Sequence, residues 1–127
     1  MKVLFYSSES DAPEMAIGAG LRGFVPDENL EVYRSIEELA QMLHRLYDYN
    51  TIAILQARDR EELLRIISLR ELLQGMRVIL LIPDQEEETI SMAHSLRPRF
   101  LSTGKSGFSD IMNVLRKMLG YEQQWFS

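Results

Sequence analysis

Five short apolar runs alternate along this chain with segments whose apolar residues recur at helical spacing. That alternation limits the fold more than any other feature. The runs are Lys2–Ser7 (KVLFYS), Leu30–Arg34 (LEVYR), Thr51–Gln56 (TIAILQ), Arg77–Ile82 (RVILLI) and Arg99–Ser102 (RFLS). Each has strand length. None approaches the ~18 apolar residues of a membrane span. At 127 residues the chain has the length of one domain, expected over 1–120, with an aromatic tail over 121–127.

The segments between carry helix signals. Asp11 is placed to cap a first helix, with Pro13 in its first turn, running toward Gly23. Ser35 and Glu38 form a capping box ahead of Ile36, Leu39, Ala40, Leu43, Leu46 and Tyr47. Asp59 and Glu62 repeat the acidic start before Leu63, Leu64, Ile66 and Ile67. Asp84 is expected to open a fourth helix, with an inner stripe of Ile90, Ala93 and Leu96 and a stop at Pro98. Gly107 or Ser109 starts a fifth, with Phe108, Ile111, Leu115, Met118 and Leu119 facing in and Gly120 as its C-cap. The third segment contains a conflict. A continuous helix to Gln74 would put Arg70 and Gln74 on the face of Leu63 and Ile67. It is therefore expected to end or turn near Leu69.

Strand–helix alternation predicts a parallel sheet with helices on both faces, an α/β three-layer sandwich. The first, third and fourth strands are nearly continuous apolar runs, as both-face burial requires. The second alternates polar and apolar residues, and the fifth is short and polar at its ends. Those two belong at the edges, which gives the flavodoxin-like order 2-1-3-4-5 with right-handed crossovers. Ligands of such sheets gather at the strands' carboxyl edge, so the residues after each strand are where chemistry is expected.

Composition removes whole classes of chemistry. The chain has no cysteine, so disulfides, thiolate nucleophiles and Cys-based zinc sites are excluded. The net charge of −5 argues against global attraction to nucleic acid or an anionic membrane, so neither is expected as a partner. The N-terminal apolar run is too short for a signal-peptide core, and the expected address is the cytoplasm.

At the carboxyl edge stand Ser7, Ser8 and Glu9 after the first strand, and Gln56, Ala57 and Arg58 at the third. Pro83 and Asp84 follow the fourth, and Ser102-Thr103-Gly104-Lys105-Ser106 the fifth. In length, strand–helix alternation and spacing of strand ends, nearly the whole chain resembles the response-regulator receiver family. The resemblance lies in pattern rather than in signature motifs. In that family paired acids after the first strand bind magnesium, and an aspartate after the third takes the phosphoryl group. A hydroxyl residue ends the fourth, and a lysine ends the fifth. Alignment puts Ser7 and Ser8 at the acid pair, Gln56 at the phosphoacceptor, Ile82 at the hydroxyl and Thr103 at the lysine. All depart from the pattern. Magnesium wants hard anionic oxygens. An amide is no phosphoryl acceptor. Isoleucine has no hydrogen bond to offer. Lys105, two residues beyond the lysine position, is a lone cation. The resemblance thus implies a degenerate pseudo-receiver without the phosphoacceptor aspartate: no catalytic residue, metal or cofactor, and signalling through a protein partner.

Other motifs weigh less. Gly18-Ala19-Gly20-Leu21-Arg22-Gly23 matches G-x-G-x-x-G, but begins about a helix too late after the first strand for a dinucleotide turn. Small residues packing a helix close to the sheet explain it as well. Gly104-Lys105-Ser106 resembles the tail of a phosphate loop but has Arg99 where the partner glycine belongs. Thr103, Lys105 and Ser106 remain anion-binding candidates beside the fifth helix start. His44 and His94 lack a metal-spaced partner and read as boundary residues. Asp59, Glu61 and Glu62, and Glu86–Glu88, read as solvated helix starts. Met92 and Val114 are expected to point outward on the fourth and fifth helices, near Lys117. With Tyr121, Trp125 and Phe126 of the tail they form a candidate partner-binding patch. The resemblance implies a homodimer through those helices. The rival expectation is a small-molecule or anion binder, or an enzyme, using the same carboxyl edge.

Overall fold

The structure, a computed structural model, describes residues 2–8, 25, 27–45, 51–103, 111 and 113–117. In chain order the elements are β1 (Lys2–Tyr6), a 3₁₀ turn (Asp27–Asn29), β2 (Leu30–Tyr33), α1 (Ile36–Arg45) and β3 (Thr51–Gln56). Then come α2 (Arg60–Ile67), α3 (Arg70–Leu73), β4 (Arg77–Ile82), α4 (Glu87–His94) and β5 (Phe100–Thr103). Residues 111 and 113–117 are also helical.

All the strand pairs are parallel, in the order β2-β1-β3-β4-β5, the expected flavodoxin-like arrangement. β3 is buried along its whole length, and β1 and β4 along all but their first residue. β2 is half-buried throughout, as an edge strand should be. Strand alternation divides the core. Leu4, Tyr6, Ala53, Leu55, Val78, Leu80 and Ile82 face Leu39 and Leu43 of α1, Leu63 and Ile66 of α2, Leu73 of α3 and Ala93 of α4. Val3, Phe5, Ile52, Ile54, Ile79 and Leu81 face Val25, Ile111 and Leu115.

Local sequence explains the helix ends. Glu38 N–H donates to Ser35 Oγ at 3.2 Å, the serine half of the capping box. Asp59 caps α2, accepting from Glu62 N–H at 2.8 Å. α2 stops at Ile67, and α3 restarts at Arg70. The break keeps Leu73 inside while Arg70 and Gln74 stay exposed, which one continuous helix would not do. Gly75 then turns the chain into β4 at φ 92°, a conformation that a Cβ would penalise.

Some expectations are corrected. Asp84 does not open the fourth helix, which begins at Glu87. Instead Asp84 accepts from Glu86 N–H at 2.9 Å, in a turn ahead of it. Pro98 does not stop that helix, which already ends at His94. Met92 and Val114 do not point fully outward. Each is half-buried, Met92 against the α1–α4 face of the core and Val114 against the opposite one. The segment expected as a first helix from Asp11 toward Gly23, with its Gly18–Gly23 motif, lies outside the described residues, as do Lys105, Ser106, the tail with Tyr121, Trp125 and Phe126, and the side chain of Thr103.

Thr51, the first residue of β3, is fully buried and its Oγ1 has no hydrogen-bond partner. An unpaired buried hydroxyl destabilises by about 1–3 kcal/mol. Thr51→Val keeps the shape and β-branching, so it is expected to raise stability by about 1 kcal/mol in urea unfolding.

Candidate functional site

The structure brings Ser7, Ser8, Gln56, Ile82 and Thr103 to one edge of the sheet. Gln56 is paired with Leu81, and Ile82 with Thr103. The ladder extends past β1 and β3 through Ser7 N–H to Tyr33 O at 3.1 Å and Ala57 N–H to Leu81 O at 2.9 Å. Alternation then splits the edge. Ser7 follows Val3 and Phe5 onto the face of Ile111, and Gln56 follows Ile52 and Ile54 there. Tyr6 and Ser8 belong to the α2 face.

On that α2 face lies a residue that the sequence reading misplaced. Glu62 is not a solvated helix start. It is 6% exposed and collects donors. Ser8 Oγ donates to Glu62 Oε2 at 2.6 Å, and Tyr6 donates to the same oxygen at 3.3 Å. Arg58 N–H donates to Oε1 at 2.9 Å. The signal was present in Asp59-Arg60-Glu61-Glu62, the D-x-x-E form of a capping box, whose glutamate reaches back over the helix start. Here it reaches one residue further back, to Arg58, and joins the end of β1 to the start of α2. Ser7 and Gln56 are buried too, and Gln56 Oε1 has no partner. Ile82, 3% exposed, contributes only hydrocarbon.

A second polar cluster crosses from α2 to α4. Arg60 Nε donates to Thr89 Oγ1 at 2.8 Å and Nη1 to Glu88 Oε2 at 3.1 Å, while Nη2 pairs with Glu86. Asp84 lies 4.0 Å from Arg60 Nε. A hydrogen bond from Thr89, the backbone N–H of Glu86 and the Arg60 charge hold the Asp84 carboxyl below its usual range. Glu86 and Glu88 are exposed, as expected, yet both are paired to one guanidinium. Among the described residues no group of three or more His, Asp and Glu could hold a metal ion. His44 and His94 are exposed.

Burial, then the Glu62 charge and its hydrogen bond, push the Tyr6 phenol up to about 12. Burial and the hydrogen bond to Glu31, at 2.7 Å, raise the Tyr33 phenol as well. The native state holds the Tyr6 proton more tightly than the unfolded chain, where tyrosine titrates near ~10. The stability this contributes is complete below about pH 10 and is lost as pH climbs through about 12. The urea midpoint is expected to fall further over that interval in the native chain than in Tyr6→Phe.

No family model matches the chain, and no curated protein matches it. Its fold is similar to the solution NMR structure of a de novo designed Rossmann 2x3 fold protein. The TM-score is 0.63 at 20% identity, over 91% of this chain and 90% of the designed one. The chain therefore has a doubly wound, flavodoxin-like α/β fold. Among the described residues no helix is long and apolar enough to cross a membrane.

Proposed function

We propose that this chain is a receiver-like interaction module that accepts no phosphoryl group and acts by docking protein, namely a second copy of itself. One observation carries the reading. The end of β3 presents the Gln56 amide, while the buried carboxylate at this edge, Glu62, is already engaged by Ser8, Tyr6 and Arg58. An amide has no nucleophilic oxygen for phosphorus, and a carboxylate holding three donors is committed to structure. The docking side is the open edge of β5, which pairs only with β4 among the described strands. Phe100 and Leu101 of that strand are half-buried, as are Met92 of α4 and Val114, and Lys117 is exposed.

Two measurements test this. Sedimentation equilibrium is expected to give twice the chain mass for the native protein and the chain mass for Met92→Glu. A native chain monomeric at about 100 µM overturns the docking claim. Magnesium with beryllofluoride, a phosphoryl mimic, is expected to leave the Ser8 and Gln56 amide resonances in place. Saturable shifts there overturn the claim of a silent edge.

A second reading, a small-molecule or anion binder at the same edge, is favoured by the orphaned Gln56 Oε1. A buried acceptor of this kind awaits a donor. Thr103, Lys105 and Ser106 remain its anion-binding candidates. Native mass spectrometry would then find a bound molecule that Gln56→Leu loses.

A further inference from the structure

At the opposite edge of the sheet, where chains enter β4 and β5, lies a groove of about 450 Å³. That volume falls in the range of small-molecule sites, roughly 300–1,000 Å³. Its floor is Leu73 and Leu96, both buried, with Met76 half-buried beside them. Its rim carries Arg70 of α3 and Gln74 just after it, and Ser95 and Arg97 from the segment after α4, with Glu71 as the acid among them.

Two arginines without a carboxylate partner among the described residues share this groove. Lys2, Arg58, Arg60 and Arg65 each pair with a carboxylate. Among the described residues neither the Arg70 nor the Arg97 guanidinium pairs with a carboxylate or makes a side-chain hydrogen bond, although the chain carries 19 acidic residues to 14 basic ones. Arg97 also sits at φ 50°, the described non-glycine residue with left-handed backbone. Glycine or asparagine would occupy that position after a helix without penalty. Arginine there is costly to the fold, and it places a guanidinium on the groove's rim. Backbone outliers held at such cost cluster at binding sites. Paired guanidiniums match the planar oxygens of a carboxylate or phosphate.

We infer that this groove binds a small organic anion: one carboxylate or phosphate between Arg70 and Arg97, with a compact apolar body on Leu73 and Leu96. The site is independent of the carboxyl edge and of the docking side of β5. The two proposals therefore stand or fall separately.

The test titrates the full chain with phenyl phosphate, benzoate, inorganic phosphate and phenol while following backbone amides. Phenyl phosphate or benzoate is expected to shift Gln74, Gly75 and Ser95–Arg97 saturably. Phenol is expected not to, and inorganic phosphate to bind more weakly than phenyl phosphate. Arg97→Gly suits the left-handed backbone, so it is expected to fold at least as well while weakening binding about tenfold or more. The inference is overturned by an absence of saturable shifts up to about 10 mM, by unchanged affinity in Arg97→Gly, or by inorganic phosphate binding as well as phenyl phosphate.

Discussion

Glu62→Leu is expected to lower the unfolding free energy by about 3 kcal/mol. The substitution removes a buried acceptor and leaves its donors behind. Tyr6 is almost wholly buried, so its phenol finds no water in exchange. Ser8 and the Arg58 N–H are only part-buried, so solvent recovers some of their loss. Each stranded buried donor costs about 1–3 kcal/mol, which sets the total. Tyr6→Phe alone forfeits one long bond of 3.3 Å and is expected to cost about 1 kcal/mol. Combining the substitutions should cost less than their sum, because leucine beside phenylalanine strands one donor fewer. A urea double-mutant cycle reads all of this. Strict additivity, or a Glu62→Leu cost below about 1 kcal/mol, would mean that water reaches the carboxylate.

Leu80→Ala is expected to cost about 3 kcal/mol, and Leu101→Ala about 1 kcal/mol. Both are leucines on adjacent strands, paired in register and turned to the same face of the sheet. Leu80 is on β4, with β3 and β5 on either side and no exposure. Truncating it leaves a cavity that its neighbours cannot fill. Leu101 is on the edge strand and half-buried. Chemical denaturation of both variants isolates the effect of strand position from that of residue type. Equal losses would contradict the assignment of β5 as an edge.

The strands were legible because burial on both faces fills their interiors with apolar residues, leaving Thr51 and Gln56 only at the ends of β3. Thr51–Gln56 and Arg77–Ile82 therefore announce themselves as apolar blocks, with bounds matching β3 and β4. The break after α2 was legible by contradiction: one straight helix would have driven Arg70 and Gln74 into hydrocarbon. The edge residues Ser7, Ser8, Gln56 and Ile82 were placed by strand order alone. Glu62 was missed because a glutamate in a helix's first turn is normally solvated. Its burial depends on Tyr6 and Ser8, 56 and 54 positions earlier. Met92 and Val114 were misjudged because periodicity ranks positions around a helix but does not say how far the inner stripe extends. The groove had no local pattern at all. Arg70 and Arg97 share a groove only because β4 and β5 are neighbours, so that the segments entering them line it together.

The sheet order also sets a sequence of events in folding. β1 is made first yet stands inside the sheet, between β2 and β3. Lys2 is paired with Thr51 and Tyr6 with Leu55, so the chain must close loops of about 49 residues before the sheet has a centre. Until Thr51–Gln56 has left the ribosome, β1 can be covered along one side only, by β2. Such long closures must be made before the contacts that reward them. This chain should thus fold more slowly than a helical bundle of equal length. Until β3 joins them, β1 and β2 form a sticky half-sheet, the stage at which a holdase chaperone would do the most good.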